Sequence, residues 1–302
     1  MKLFKCVPFL LVLSSFFLEL TSCSKDDDIQ LVDQAYKSLT ISNGGDFTIP
    51  ILGDDNWSIQ SVYETPTKEI LDTNDKPMKL EESGTIEASN GWLSISRYKE
   101  NAFTVSLKEN FDKTNVRQFT IMLNKSGKHD YIVITQRHGE YKVNKSAFKE
   151  IKREIYVSDK DCGSIVLRNY STQLTELAYT DIFKNVVQSS DFESDDYGAF
   201  DWMPEKGIQI EVPDLMINDT IRWSDKCTYK SGIFNTAYKT YASNDKILVQ
   251  PNSSAHVKGE VTYCKRVCNY TLTIQNIDSH TTINLNGVWT QIVPISTNTI
   301  IN

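Results

Sequence analysis

The chain has no basic excess, few histidines, and none of the short motifs that mark common catalytic folds. Its 302 residues carry a formal charge of −7 with no run of Lys and Arg, so nucleic acid and anionic lipid surfaces are poor partners. The four histidines, His129, His138, His256 and His280, are scattered beside turn-forming residues. There is no His-Glu-x-x-His helix, no Gly-x-Ser-x-Gly elbow and no phosphate-cradling glycine loop. A Ser-His-Asp set brought together only by folding leaves no trace among this many Ser and Asp. Beyond the N-terminus no apolar segment is long enough to cross a bilayer as a helix, which takes roughly 20 residues. The expectation is a protein that is not an enzyme.

What is present begins at the N-terminus. Lys2 and Lys5 precede an apolar run over residues 7–20, too short to span comfortably. A basic start, a short apolar middle and small residues at the end describe a signal peptide over residues 1–22. Leu20-Thr21-Ser22-Cys23 resembles the lipobox of bacterial lipoproteins. That resemblance implies a diacylglyceryl group on Cys23, cleavage before it, and an outer-membrane lipid anchor. Two or more acyl chains hold firmly where one does not. Ser24-Lys25-Asp26-Asp27-Asp28 resembles an acidic tag that sends lipoproteins to the outer leaflet, which implies exposure at the cell surface. A secreted protein with a chance cysteine and a plain solvated linker are the competing readings. Residues 23–35 read as a polar, acidic tether.

Of six cysteines, Cys162, Cys227, Cys264 and Cys268 remain after Cys6 and Cys23. Disulfides persist in exported proteins, and four cysteines allow three connectivities. A short Cys264–Cys268 bridge is the candidate if a turn falls at Lys265-Arg266. On a straight strand the two α-carbons would stand about 13 Å apart, too far to bond. A four-cysteine zinc site is a weaker alternative, since no Cys-x-x-Cys knuckle is present.

Residues 36–138 alternate apolar and polar in short runs such as Phe103/Val105/Leu107 and Phe119/Ile121/Leu123. Period two argues antiparallel strands buried on one face. Asn43-Gly44-Gly45, Asn90-Gly91 and Lys125-Ser126-Gly127 supply turns. Trp57 and Trp92 sit in alternating runs and read as packing residues rather than ligand contacts. The stretch 64–89 reads as a long polar loop with one edge strand. The blocks Asn56-Trp57-Ser58-Ile59, Gly91-Trp92-Leu93-Ser94-Ile95-Ser96, Phe103-Thr104-Val105-Ser106, Glu109-Asn110 with Arg117-Gln118-Phe119-Thr120-Ile121, and Tyr131-Ile132-Val133-Ile134-Thr135-Gln136 resemble the BACON domain. The resemblance covers about a third of the chain. It implies an immunoglobulin-like β-sandwich close to the lipid anchor of a glycan-degradation surface protein, as a carbohydrate binder or a spacer. The 64–89 insertion is longer than that pattern.

Residues 139–302 resemble no family, but their runs again alternate, so the expected fold class is all-β, two β-sandwich domains after signal and tether. Leu174, Leu177, Ala178, Ile182 and Val186 fall at helical spacing, which predicts one short crossing helix. Between better-patterned runs, residues 189–204 gather carboxylates and aromatics. Sugar recognition needs flat aromatic faces and hydroxyl-bonding acceptors. Tyr197, Phe200 and Trp202 are the candidate faces, and Asp195, Asp196 and Asp201 the candidate acceptors, on a platform at the distal end. The same carboxylates suit calcium, although the twelve-residue loop pattern is missing; no other cofactor is implied. The competing reading is a surface loop whose rings tuck back onto a sheet.

The expected function is a non-catalytic surface lipoprotein that binds a glycan within a polysaccharide-uptake system. The alternative is a spacer or adhesin presenting the distal domain to a protein partner. Expressed in its own host, the Cys23→Ala variant should leave the membrane fraction. Identical fractionation of variant and parent would show that the lipobox reading is wrong.

Overall fold

The computed structural model describes residues 29–53, 56–238 and 245–302. Cys23 and the acidic run behind it lie outside them. Among the described residues regular structure is strand, apart from a 3-10 turn at Gln34–Tyr36. No helix among them is long and apolar enough to cross a membrane. The chain is all-β.

The first domain has nine strands: β1 (Ser38–Ile41), β2 (Gly45–Pro50), β3 (Ser58–Thr65), β4 (Lys68–Glu69), β5 (Gly84–Glu87), β6 (Leu93–Lys99), β7 (Ala102–Leu107), β8 (Arg117–Lys125) and β9 (Lys128–Gln136). They form a sandwich. One sheet runs β1-β9-β8-β3-β4 and the other β2-β7-β6-β5. Ile59, Phe119, Ile121 and Ile134 of the first sheet share one buried cluster with Ile49, Ile95, Phe103 and Val105 of the second. Trp57 and Trp92 belong to that core, Trp57 lying 5.7 Å from Phe103 and Trp92 5.3 Å edge-on from Phe119. Truncating a ring at such depth costs about 3–5 kcal/mol. The stretch 64–89 is more than a loop: β4 and β5 join the two sheets, and Ile70, Met78 and Ala88 are buried.

The first domain also begins earlier than the alternation indicates. Leu31 and Val32, placed in the tether, are buried in its core. Their backbone N–H groups donate to Asp130 Oδ2 at 2.7 and 3.2 Å, and Lys37 Nζ pairs with Oδ1. Asp130 is itself buried, so these charge-assisted bonds keep it from being an unpaired interior charge. They clamp the chain just after residue 29.

The second domain has twelve strands: β10 (Tyr141–Ser158), β11 (Ser164–Asn169), β12 (Thr175–Tyr179), β13 (Val187–Glu193), β14 (Ile208–Glu211), β15 (Leu215–Ile217), β16 (Thr220–Trp223), β17 (Lys226–Tyr229), β18 (Phe234–Ala237), β19 (Asp245–Val249), β20 (Ser253–Asn276) and β21 (Thr282–Ile301). The main sheet runs β10-β20-β21-β13-β18, with β11 also on β20. The hairpins β12-β19, β14-β17 and β15-β16 supply a second layer.

β20 feeds cores on both faces. Val257, Val261 and Tyr263 are buried with Tyr179, Ile182, Phe183 and Val186. From Cys264 onward the buried apolar residues are the other parity: Cys264 packs with Leu215 and Val293, and Cys268, Tyr270, Leu272 and Ile274 pack with Phe192, Tyr229 and Trp289. Side chains alternate faces along a strand, so Tyr263 and Cys264 mark where the apolar face changes sides. The ladder with β21 slips one residue there, past Ile295.

Two expectations fail at this point. Cys264 and Cys268 are free and lie on an uninterrupted strand, so no turn at Lys265-Arg266 brings them together. The strand runs straight through, and the consecutive buried pair Tyr263 and Cys264 is the change of face. No helix covers residues 174–186: Thr175–Tyr179 pairs with β19, and Ile182, Phe183 and Val186 fold over β20 as a loop. Leu174 is exposed, so the helical spacing joined residues that share no face. Peptide mapping under non-reducing conditions should recover Cys264 and Cys268 as free thiols. A 264–268 linkage would contradict the straight strand.

Candidate functional site

Two loops meet where the domains join. One, residues 110–116, links β7 to β8; the other, residues 194–204, follows β13. The first is rigid because its polar side chains close on its own backbone. Asp112 Oδ1 accepts from Thr114 N and Asn115 N, both at 2.8 Å. These bonds hold the Asp112 carboxyl down at about 2, so it is charged at neutral pH. Asn110 is buried and donates through Nδ2 to the Asn115 carbonyl at 3.0 Å.

The second loop docks on the first domain. Arg117 lies 4.5 Å from the centroid of Trp92 and 5.3 Å from that of Tyr197. It donates to Gln136 Oε1 at 2.7 Å and to the Tyr197 hydroxyl at 3.1 Å. Burial lowers its pKa, but a guanidinium stays charged. Phe111 reaches the other way, buried in the second domain's core 5.0 Å from the Tyr141 ring. Gly198 accommodates it. Its φ of +69° suits glycine, and an added Cβ would stand 2.6 Å from the Phe111 ring. Glu109 Oε1 accepts from the Tyr141 hydroxyl at 2.9 Å and from Asn276 Nδ2 at 3.1 Å. Burial, then this carboxylate, push the Tyr141 hydroxyl far above its ordinary pKa.

Between the loops lies an open cleft of about 840 Å³, lined by Glu64, Thr65, Asn110, residues 112–118, Tyr197 and Asp201. A smaller depression of about 410 Å³ adjoins it, sharing Lys113 and Asp201 and including Phe200. The cleft therefore offers fixed amides, carboxylates, two cations and one tyrosine, a set suited to hydroxyl-rich ligands.

The six residues expected at a sugar platform divide here. Tyr197 and Asp201 line the cleft, and Phe200 lines its neighbour. Trp202 lines neither: it packs 6.1 Å from Tyr141 and donates Nε1–H to the Ala199 carbonyl. Asp196 accepts from Asn286 N, and Asp195 is exposed. The three rings are half-buried against different partners, Tyr197 on Arg117, Phe200 on Tyr229 and Trp202 on Tyr141, so they do not make one flat face. Nor are they distal. The loop sits against the first domain because Gly198 admits Phe111. Among the described residues no three of His, Cys, Asp and Glu gather as metal ligands. Phe111 and Arg117 escaped sequence reading, since an apolar residue beside a turn and one arginine on a strand look ordinary.

Replacing Arg117 with Ala removes two ring contacts and the bond to Tyr197. The loss should be about 2–3 kcal/mol. Calorimetry should show one cooperative transition in the parent and two separated ones in the variant.

No family model matches the chain, and the search of curated proteins finds no relative. The likenesses among solved structures are distant. The lamprey immune protein is 10% identical, covering 87% of this chain and 96% of its own, with a TM-score of 0.37. Parasporin-2, a Bacillus thuringiensis toxin that recognizes cancer cells, is 11% identical, covering 62% and 75%, with a TM-score of 0.32. A protein from Bacteroides thetaiotaomicron is 17% identical, covering 35% and 82%, with a TM-score of 0.25. Likenesses at this level carry no argument about what the chain does.

Proposed function

We propose that the chain is an exported, lipid-anchored, non-catalytic recognition protein of the outer cell surface that binds a glycan in the cleft between its domains. The observation that carries this is the cleft's lining: the Asn110 amide and the Asp112 carboxylate held rigid by bonds to their own loop's backbone, beside Lys113, Tyr197 and Asp201. Rigid acceptors lose little entropy on binding, which favours weakly held, hydroxyl-rich ligands. The two adjoining depressions suit several sugar units in a row. The lipobox and BACON resemblances support the same address and ligand class.

The second reading, a spacer or adhesin, is favoured by one feature. A 24-residue strand extends about 80 Å at roughly 3.3 Å per residue, enough to hold a distal end well away from its base.

A glycan array of plant and host polysaccharides, run on the chain lacking residues 1–23, tests the first reading. The Lys113→Ala/Asp201→Ala double variant should bind the captured glycan about fivefold to thirtyfold more weakly, the loss of one or two hydrogen bonds. A parent that captures no polysaccharide favours the spacer, and a double variant that binds equally well places the site elsewhere.

A further inference from the structure

A separate depression of about 300 Å³ opens on the second domain, on the face of the main sheet that carries Cys264 and Cys268. Strand register places Arg266, Gln291, Ser190 and Phe234 side by side across β20, β21, β13 and β18. Gln291, Ser190 and Phe234 line the depression, with Gln188, Trp223 and Cys227. Arg266 lies one residue behind the lining.

Arg266 is 1% exposed, and among the described residues no carboxylate lies within ion-pair distance of it. Its Nε donates to Gln291 Oε1 at 2.7 Å, Nη1 to the Asp214 carbonyl at 3.0 Å, and Nη2 to the Pro213 carbonyl at 2.6 Å. The rings of Trp289 and Trp223 lie 4.8 and 5.7 Å away. Glu150, on the neighbouring strand, is occupied by Arg153 at 2.6 Å. A guanidinium has five N–H donors, and three are used. Neutral carbonyls and rings offset a buried charge only in part.

That charge is aimed through Gln291. Arg266 holds Oε1, so the amide nitrogen turns to the depression. Among the described residues its one acceptor is Cys227 Sγ at 4.0 Å, a weak partner. Burial pushes the Cys227 thiol up to about 11, so the sulfur carries no charge at neutral pH. Asp225 is the single carboxylate on the rim and is exposed, and Lys226 beside it is paired with Glu211 at 2.7 Å. The floor therefore presents an under-used amide N–H₂ backed by an unpaired cation, between the aromatic walls Trp223 and Phe234.

We propose that this depression holds one carboxylate-bearing sugar residue, its carboxylate against Gln291 and its apolar ring face along Trp223. The volume suits a single ring. The choice of a sugar rests on the glycan reading above, whereas the choice of an acid rests on Arg266 and Gln291. An incoming carboxylate takes the amide donors and supplies the negative charge the interior lacks.

The test is isothermal titration of the chain lacking residues 1–23 with D-galacturonate and D-galactose, which differ at one carboxylate. The acid should bind at least tenfold more tightly. Gln291→Glu keeps the shape and places a carboxylate against Arg266. It should raise the melting temperature and weaken the acid at least thirtyfold. Lys113→Ala/Asp201→Ala should leave the acid titration unchanged, which separates this pocket from the domain cleft. Equal binding of the two sugars, no acid binding by the parent, or unchanged acid affinity in a folded Gln291→Glu variant would each overturn the proposal. None of those outcomes touches capture of a polysaccharide at the cleft.

Discussion

Strict alternation of side chains along a strand of 24 residues governs the second domain. Such a strand has two long faces, and one fully apolar face needs a cover as long as itself. β20 avoids that demand by changing its apolar side at Tyr263–Cys264. Each half is then covered by short pieces: the loop 179–186 and the β12-β19 hairpin at one end, the hairpins β14-β17 and β15-β16 with the loop 194–204 at the other. The uncovered faces are hydrophilic, as in the Thr271–Asn286 pair across β20 and β21. Cross-strand bonds of this kind hold an exposed face in register.

The same alternation explains why the two domains are so unequally legible in sequence. In the first domain most runs keep one phase from end to end, β3 excepted, where a bulge between Ile59 and Ser61 shifts it, so Phe119, Ile121 and Leu123 could be placed inside without coordinates, and Trp57 and Trp92 with them. The β8–β9 hairpin followed from Ser126-Gly127, which has the positive φ values its turn requires. In the second domain a phase change within one strand looks like two strands and a turn, and the nearby cysteines gave that turn a false reason. The loop Asp181–Val186 combined buried residues at accidental helical spacing. Leu31 and Val32 were hidden by their acidic surroundings, because the partner that draws them in, Asp130, is about a hundred residues away.

The candidate site was half legible for a related reason. Composition marked residues 189–204 as a place where rings and carboxylates gather, and Tyr197, Phe200 and Asp201 do line a continuous surface. What composition does not encode is the opposite wall. Asn110, Asp112 and Arg117 come from the other domain, and only the docking of Gly198 on Phe111 brings them within reach. Gln291 and Arg266 are likewise joined by register across strands and not by closeness in sequence.

Phe111 belongs to the first domain by chain and to the second by burial. Its ring fills a place in a core whose other members arrive thirty or more residues later. During synthesis, when N-terminal domains fold first, the finished sandwich carries an apolar knob with no socket. The second domain then assembles around something already there, and Gly198 leaves the room for it. The first domain is thus a template for its neighbour as well as a module beside it, and the two cannot be exchanged or separated without leaving a hole on one side and a bare ring on the other.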